Sequence, residues 1–170
     1  MSKLIVHGGY KIQGELKVSG AKNSVLPILA ATVLNGKINI IHDIPMLSDV
    51  EVMTKILRAV GCDVNRENGT MIVDSSKLNN HRIPEELVRE MRSSIVFLGA
   101  MLARCGETIV SYPGGCEIGP RPIDLHLKSL REMGAVIEEK HGFLICTTTG
   151  LKGCEIQLDF PSVGATENIM

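Results

Sequence analysis

The sequence carries the stretch Leu57-Arg58-Ala59-Val60-Gly61-Cys62-Asp63-Val64, and its pattern returns 73 residues later as Leu130-Arg131-Glu132-Met133-Gly134-Ala135-Val136-Ile137. In both stretches a glycine stops a helical pattern, and alternating apolar residues then begin a strand. A pattern that recurs at a fixed spacing is typical of a repeated supersecondary unit. The chain is therefore predicted to contain copies of one unit made of helices and strands.

Each copy is predicted to run helix, strand, helix, strand, strand. In the first copy the apolar run 25–34 predicts a buried helix, with Pro27 in its first turn behind a cap at Asn23 or Ser24. Residues 48–51 have the S-x-x-E form of a capping box and open the second helix.

The second copy is predicted to begin with one helix from Pro84 to Leu102, and its second helix spans 123–133. Asn68-Gly69 predicts the turn of a hairpin in the first copy. The predicted strands are 3–7, 14–18, 37–42, 62–66, 70–74, 107–112, 135–139, 142–147 and 154–159.

These elements predict an α/β chain with two full repeats, at about 21–76 and 84–150, and the start of a third at 151–170. Gly164-Ala165 aligns with Gly20-Ala21, and the third copy stops at Met170 where the others enter a buried helix. We therefore expect the chain to be part of a longer protein.

Composition restricts the function classes. The 170 residues are 44% hydrophobic and 22% charged, which is typical of a folded chain. A net charge of -1 argues against broad nucleic-acid binding and leaves room for a local pocket for a small anion. With no long apolar span, the expectation is a cytoplasmic protein without membrane attachment.

The five cysteines do not form a CxxC pair, so they predict neither a disulfide framework nor a zinc site, and no metal or cofactor is expected. Four lie in or beside apolar runs and are interpreted as small core residues. Cys116 alone lies in the glycine- and proline-rich loop 113–125. Its thiol could be a nucleophile, a general acid or inert, and Arg121 nearby would favour the thiolate.

Three cations lie at predicted helix starts: Lys22 and Arg92 at equivalent positions, and Arg121 just before a third helix. Because helix N-termini attract anions, these cations predict a site for a phosphate ester, although each could also be a solvated surface charge. Asp124 could favour the helix start or accept hydrogen bonds from a ribose or base. His126 is interpreted as structural.

The whole chain resembles the enolpyruvyl transferase family, and specifically its members that act on UDP-N-acetylglucosamine. The resemblance lies in the Cys116 loop, in Ser19-Gly-Ala-Lys22-Asn23, in Met91-Arg92-Ser-Ser and in Ser162-Val-Gly-Ala-Thr166. It implies transfer of the enolpyruvyl group of phosphoenolpyruvate to the 3′-hydroxyl of UDP-N-acetylglucosamine, with phosphate released, as the committed step of peptidoglycan synthesis.

The resemblance also implies residue roles. Cys116 is the general acid and the thiol that fosfomycin alkylates, and Lys22 holds phosphoenolpyruvate with Arg121 and assists proton transfer. Asn23 and Arg92 contact the sugar nucleotide. The uridine and diphosphate are contacted by Arg121, Pro122, Ile123, Asp124, Leu125, Ser162, Val163 and Gly164. Some family members carry a lysine in the loop before Ser162, where this chain has Asp159-Phe160-Pro161.

The family fold consists of two similar domains, each an inside-out α/β barrel of three repeated units with the helices inside. The resemblance therefore implies that residues 1–20 pack against a second, C-terminal domain, that 21–170 belong to the first domain, and that this chain alone is inactive. Two alternatives are another enolpyruvyl acceptor, such as shikimate 3-phosphate, and a non-catalytic nucleotide-binding or thiol-sensing domain.

Overall fold

The structure, a computed structural model, describes residues 3–113 and 122–170. Two consecutive units contain the same order of elements. The first unit comprises α1 (Lys22–Ala31), β1 (Ile38–Ile41), α2 (Ser48–Ala59), β2 (Asp63–Glu67) and β3 (Thr70–Asp74). The second comprises α3 (Glu85–Glu90), a 3-10 helix (Arg92–Val96), α4 (Phe97–Cys105), β4 (Glu107–Ser111), α5 (Asp124–Glu132), β5 (Val136–Lys140) and β6 (Phe143–Thr147). A further helix, α6 (Val163–Ile169), follows.

Each unit forms one antiparallel three-stranded sheet with its last strand in the middle, in the orders β1-β3-β2 and β4-β6-β5. Val64 pairs with Val73 in the first sheet, and Ile137 pairs with Cys146 in the second. The predicted turn at Asn68-Gly69 is confirmed, since both residues have positive φ, 48° and 76°. The two sheets therefore share their topology and their register.

The core lies mainly between helices. Leu57 of α2 and Phe97 of α4 are fully buried. The first helix, α1, packs against both α2 and α4, and α6 packs against α4 and α5. A single cluster of buried apolar residues joins the two units, so helices occupy the interior while each sheet keeps an exposed face.

The single helix predicted from Pro84 to Leu102 is wrong, because the chain is extended at Met91, with φ −143° and ψ 120°. The buried Ser94 hydroxyl donates to the backbone oxygens of Val88 at 3.2 Å and Met91 at 2.6 Å. This side chain occupies carbonyls that a continuous helix would offer to backbone N–H groups. The interruption makes Arg92 the first residue of a new helical segment.

The predicted caps are also wrong. The first helix begins at Lys22 with Ala21 as its cap, so Pro27 lies inside it rather than in its first turn. The second helix begins at Ser48 without a side-chain cap. Glu51 does not close a capping box, since its carboxylate accepts a hydrogen bond from Arg66 of β2 at 2.8 Å.

The strands predicted at 3–7, 14–18 and 154–159 are absent from the described part of the chain. Leu4 and Ile12 are 92% and 96% exposed. Alternating apolar residues form a strand only where a neighbouring backbone completes the hydrogen-bond ladder. In residues 3–113 and 122–170 these segments do not have such a neighbour.

The cysteine prediction holds in part. Cys62 and Cys146 are buried core residues as expected, and Cys105 is half-buried, whereas Cys154 is exposed. Burial raises the pKa of Cys62 to about 11 and that of Cys146 to about 12. These two thiols are therefore held in the unreactive protonated form.

None of the helices in the described ranges has the length and apolarity needed to cross a membrane.

Candidate functional site

A cavity of about 350 Å³ lies where α1, the 3-10 helix, the start of α5 and the start of α6 meet. The break at Met91 and the turn at Ser162 bring their segments to this cavity from positions distant in sequence. Its wall contains six of the eleven predicted substrate-binding residues: Asn23, Arg92, Pro122, Ser162, Val163 and Gly164.

Arg92 and Pro122 also border a neighbouring cavity of about 460 Å³. The Arg92 guanidinium donates to the backbone oxygen of Pro122 at 3.4 Å, so it lies at the junction of the two cavities. Ile123 and Asp124 line the second cavity. The two cavities therefore share Arg92 and Pro122 in their walls, and together they offer room for a ligand with several groups.

The second cavity has a polar wall formed by Tyr112, which follows β4, and Glu139 of β5. The Tyr112 hydroxyl donates a hydrogen bond to Glu139, and this bond raises the pKa of Tyr112 to about 12. Lys128, on the same cavity, binds the Asp159 carboxylate at 3.0 Å. Asp159 belongs to the loop before Ser162, where some family members carry a lysine. In this chain the loop instead supplies a carboxylate that binds Lys128 of α5.

The remaining predicted residues lie elsewhere. Lys22 does not line the first cavity; its ammonium forms an ion pair with Asp49 near the start of α2. Leu125 is buried and lines neither cavity. Cys116 and Arg121 lie outside the described residues.

The segment Ser162–Gly164 is fixed by a local cap. The Ser162 hydroxyl accepts from the backbone N–H of Ala165 at 3.3 Å, and its carbonyl accepts from Thr166. Because this serine caps α6, its hydroxyl and the following backbone are held at the cavity wall.

His126, interpreted from the sequence as a structural residue, also lines the first cavity. It is 5% exposed, and its Nδ1 lies 3.0 Å from Nδ2 of Asn168. Burial and the neighbouring Arg92 lower the pKa of His126 to about 4. The sequence signal was its place among Ile123, Leu127 and Leu130 on the apolar face of α5, where an ordinary surface histidine would not lie.

The cavity wall is rich in hydrogen-bond donors, since Arg92, Asn23, Ser162 and His126 can all donate. Glu167 adds one acceptor at the edge. Such a wall suits a ligand that presents many oxygen atoms. Within residues 3–113 and 122–170, acidic, histidine and cysteine side chains do not gather into a group that could hold a metal ion.

Gly99 lets α6 approach α4 closely, which leads to a testable expectation. A Cβ at Gly99 would overlap the carbonyl oxygen of Asn168 and lie 2.7 Å from its Oδ1. We expect Gly99→Ala to lower the free energy of unfolding by about 1–3 kcal/mol through overpacking. Helix propensity alone predicts the opposite, a gain of about 1 kcal/mol. Urea unfolding measures the change.

Gly153→Ala is the matched control for this substitution, because the space around Gly153 is open and its backbone does not require glycine. Its stability should stay within about 0.5 kcal/mol of the unmodified chain. A Gly99→Ala chain as stable as the unmodified one would contradict the tight contact between the two helices.

Comparison with known proteins gives consistent results. A family model described as EPSP synthase (3-phosphoshikimate 1-carboxyvinyltransferase) matches residues 6–170. The chain is 50% identical over 170 residues to UDP-N-acetylglucosamine 1-carboxyvinyltransferase 2 of Caldanaerobacter subterraneus, covering 100% of this chain and 41% of that protein. It is 52% identical over 171 residues to UDP-N-acetylglucosamine 1-carboxyvinyltransferase 1 of Carboxydothermus hydrogenoformans, covering 100% of this chain and 40% of that protein.

Solved structures share the fold. The enolpyruvyl transferase NikO from Streptomyces tendae superposes with a TM-score of 0.74 at 25% identity, over 88% of this chain and 33% of that one. EPSP synthase from Acinetobacter baumannii gives 0.63 at 18% identity, over 92% and 37%. The chain thus spans about two fifths of the length of the curated relatives it matches.

Proposed function

The chain belongs to the EPSP synthase family, and on that premise we propose that it serves in enolpyruvyl transfer from phosphoenolpyruvate to the 3′-hydroxyl of UDP-N-acetylglucosamine. This reaction releases phosphate and is the committed step of peptidoglycan synthesis, in the bacterial cytoplasm. The observation that carries the proposal is the single cavity shared by Asn23, Arg92 and the segment 162–164. Shikimate 3-phosphate is a weaker candidate acceptor, because identity is 50% to a sugar-nucleotide relative and 18% to an EPSP synthase.

The proposed chemistry is an addition followed by an elimination. The sugar hydroxyl adds to the carbon of phosphoenolpyruvate that carries the phosphate, and a proton adds to the methylene carbon. Loss of phosphate and of one methyl proton then restores the double bond. A general acid must therefore supply the first proton, and we assign this role to the Cys116 thiol, with Lys22 assisting proton transfer.

The donor-rich cavity is the proposed place of the sugar nucleotide. Arg92 and Asn23 would bind its oxygen atoms, and Ser162, Val163 and Gly164 would contact the diphosphate. The adjoining cavity, bordered by Pro122, Ile123 and Asp124, would take the uridine. Leu125 is buried next to Asp124 on α5 and is assigned to the same end of the ligand. This assignment uses both cavities and puts Arg92 at their junction, where a diphosphate would lie.

Phosphoenolpyruvate is proposed to bind Lys22 and Arg121. Lys22 already binds a carboxylate, that of Asp49, and its side chain is 53% exposed. An incoming anion can therefore replace Asp49 without the lysine leaving a buried position. Asp49 is only 23% exposed, so the exchange leaves this carboxylate without its partner in a partly buried position.

Fosfomycin labelling tests the proposed function, because the Cys116 loop is expected in the enzymes that act on UDP-N-acetylglucosamine and not in the shikimate enzyme. Attack of the Cys116 thiolate on the epoxide forms a carbon–sulfur bond, breaks a carbon–oxygen bond and leaves a hydroxyl after protonation. Incubation with fosfomycin and UDP-N-acetylglucosamine should add one adduct per chain, read by intact-protein mass spectrometry. Cys116→Ser should lose the adduct completely.

Cys154→Ser is the control, because Cys154 is an exposed thiol that could react instead, whereas burial protects Cys62 and Cys146. This variant should label like the unmodified chain. An adduct that survives in Cys116→Ser would remove Cys116 from the proposed site.

A further inference from the structure

Asn168 uses both ends of its side-chain amide inside the protein. It lies on α6 and is 6% exposed. Its Oδ1 accepts from the backbone N–H of Gly99 at 2.8 Å, and its Nδ2 lies 3.0 Å from Nδ1 of His126. The side chain thus connects α4 to the histidine that lines the first cavity.

The chemistry of the three groups fixes their orientation. A backbone N–H can only donate, so the oxygen of the Asn168 amide must face Gly99. The NH₂ end then faces His126, and because it too can only donate, Nδ1 of the ring must be the acceptor. A neutral imidazole with a bare Nδ1 carries its proton on Nε2.

The protonated side of the ring lies at the cavity. Nε2 and Cε1 of His126 lie 3.6 and 3.5 Å from the position that a Cβ on Gly164 would take. Gly164 lines the same cavity as Arg92. The Nε2–H group therefore belongs to the donor-rich wall that faces a bound ligand.

We propose that Asn168 is a positioning residue that holds His126 in its Nε2–H tautomer, so that the ring offers a hydrogen-bond donor to an acceptor oxygen of the ligand. The identification of that ligand as UDP-N-acetylglucosamine rests on the proposed function. This arrangement discriminates between ligands. A ligand with a hydrogen-bond donor at this position would face the Nε2–H group of His126, and both donors would lack an acceptor. Burial and the neighbouring Arg92 lower the pKa of His126 and so favour the neutral ring, whereas Asp124 raises this pKa by a smaller amount.

The tautomer can be observed directly in the 170-residue chain by NMR of ¹⁵N-labelled histidine at pH 8, above the usual histidine pKa of about 6.5. The His126 signals are identified by their loss in His126→Asn. We expect Nδ1 to show the shift of an unprotonated nitrogen and Nε2 that of a protonated one. The reverse pattern, or the averaged shifts of a mixture, would overturn the proposal without any change at Asn168.

Asn168→Asp tests whether Asn168 sets the tautomer. The carboxylate can still accept from Gly99 but cannot donate, so His126 must donate from Nδ1, and a ring that stays neutral at pH 8 then has a bare Nε2. We expect the two nitrogen shifts to exchange. Asn65→Asp, the same change at an exposed position on β2, should leave them unchanged. A folded Asn168→Asp chain with the original shifts would show a merely structural residue.

Titration with UDP-N-acetylglucosamine separates this proposal from the proposed function. In the unmodified chain the ligand should shift the Nε2–H proton signal of His126, and Asn168→Asp should bind it about tenfold more weakly, as expected for one unsatisfied buried polar group. If the chain binds UDP-N-acetylglucosamine to saturation and the Nε2–H signal of His126 does not change, the ring does not donate to the ligand. That result would overturn only the proposed role of His126 as a donor. Failure to bind the sugar nucleotide would contradict the proposed function, while the tautomer would still be decided by the ligand-free spectra.

Discussion

Leu57→Ala and Leu130→Ala are each expected to lower the free energy of unfolding by about 2–5 kcal/mol, the range for truncating a buried leucine. Both side chains are 0% exposed, and they occupy equivalent positions just before the glycine that ends α2 and α5. Removing three carbons at either place loses apolar burial and leaves a cavity between packed helices. Urea unfolding followed by circular dichroism measures the change.

The two substitutions also test whether the units unfold together. Leu57 and Leu130 belong to one continuous core cluster, so each variant should show a single transition with a shifted midpoint. Leu34→Ala, at a leucine that is 45% exposed, is the control and should change stability far less. A separate transition affecting only one sheet would contradict a shared core.

The chain is also expected to lose about 3 kcal/mol of stability between pH 6.5 and pH 4 through His126 alone. The pKa of this histidine falls from its ordinary 6.5 to about 4 in the folded protein, first because of burial and then because of Arg92, while Asp124 opposes the shift. Between these values the unfolded chain binds the proton and the folded chain does not. Stability is therefore complete above pH 6.5 and declines as the pH falls, with no further loss from this group below about 4.

His126→Asn isolates that contribution. The introduced amide oxygen can accept from Nδ2 of Asn168 in place of Nδ1, but it does not titrate. The unfolding free energy of the unmodified chain minus that of His126→Asn should therefore fall by about 3 kcal/mol from pH 7.5 to pH 4. The contributions of the carboxylates are common to both chains and cancel in this difference. A constant difference over this range would mean that the folded protein accommodates the charged ring.

Local patterns predicted much of the fold because they were supported by local physics. The repeat around Gly61 and Gly134 predicted two equivalent units, and both glycines have the left-handed φ that ends a helix, 101° and 97°. Asn68-Gly69 predicted a hairpin turn that the structure has. The α/β class followed from the same repeat, whereas the family followed from the separate motifs that carry the resemblance.

The errors arose where a side-chain hydrogen bond outweighed the pattern from which an element was predicted. Ser94 was expected in a helix, but its hydroxyl bonds to Val88 and Met91 and supports a break in the helix. Glu51 was expected to close a cap and instead binds Arg66. Arg66 lies on a different element from Glu51, so the pattern of α2 alone could not indicate that pair. The Ser94 bonds lie inside the predicted helix, but apolar periodicity carries no information about a hydroxyl group.

The candidate site was predicted only in part, because some of its residues matter through contacts with distant parts of the chain. Asn23, Arg92 and Gly164 were found from the resemblance, and they meet at one cavity. Asn168 was not found, because its importance depends on Gly99, 69 residues away, and on the direction of a hydrogen bond. Cys116 and Arg121 remain sequence-based predictions.

The interruption at Met91 also bears on how cheaply a ligand can be bound. Since Ser94 fixes the carbonyls of Val88, before the break, and of Met91, at the break, the backbone that carries Arg92 is already preorganised before a ligand arrives. Association then has to order only the long arginine side chain, whose rotamer entropy is about 2 kcal/mol, and part of that is already restricted by Pro122. The break in the helix at Met91 thus reduces the entropic cost of binding a ligand at Arg92.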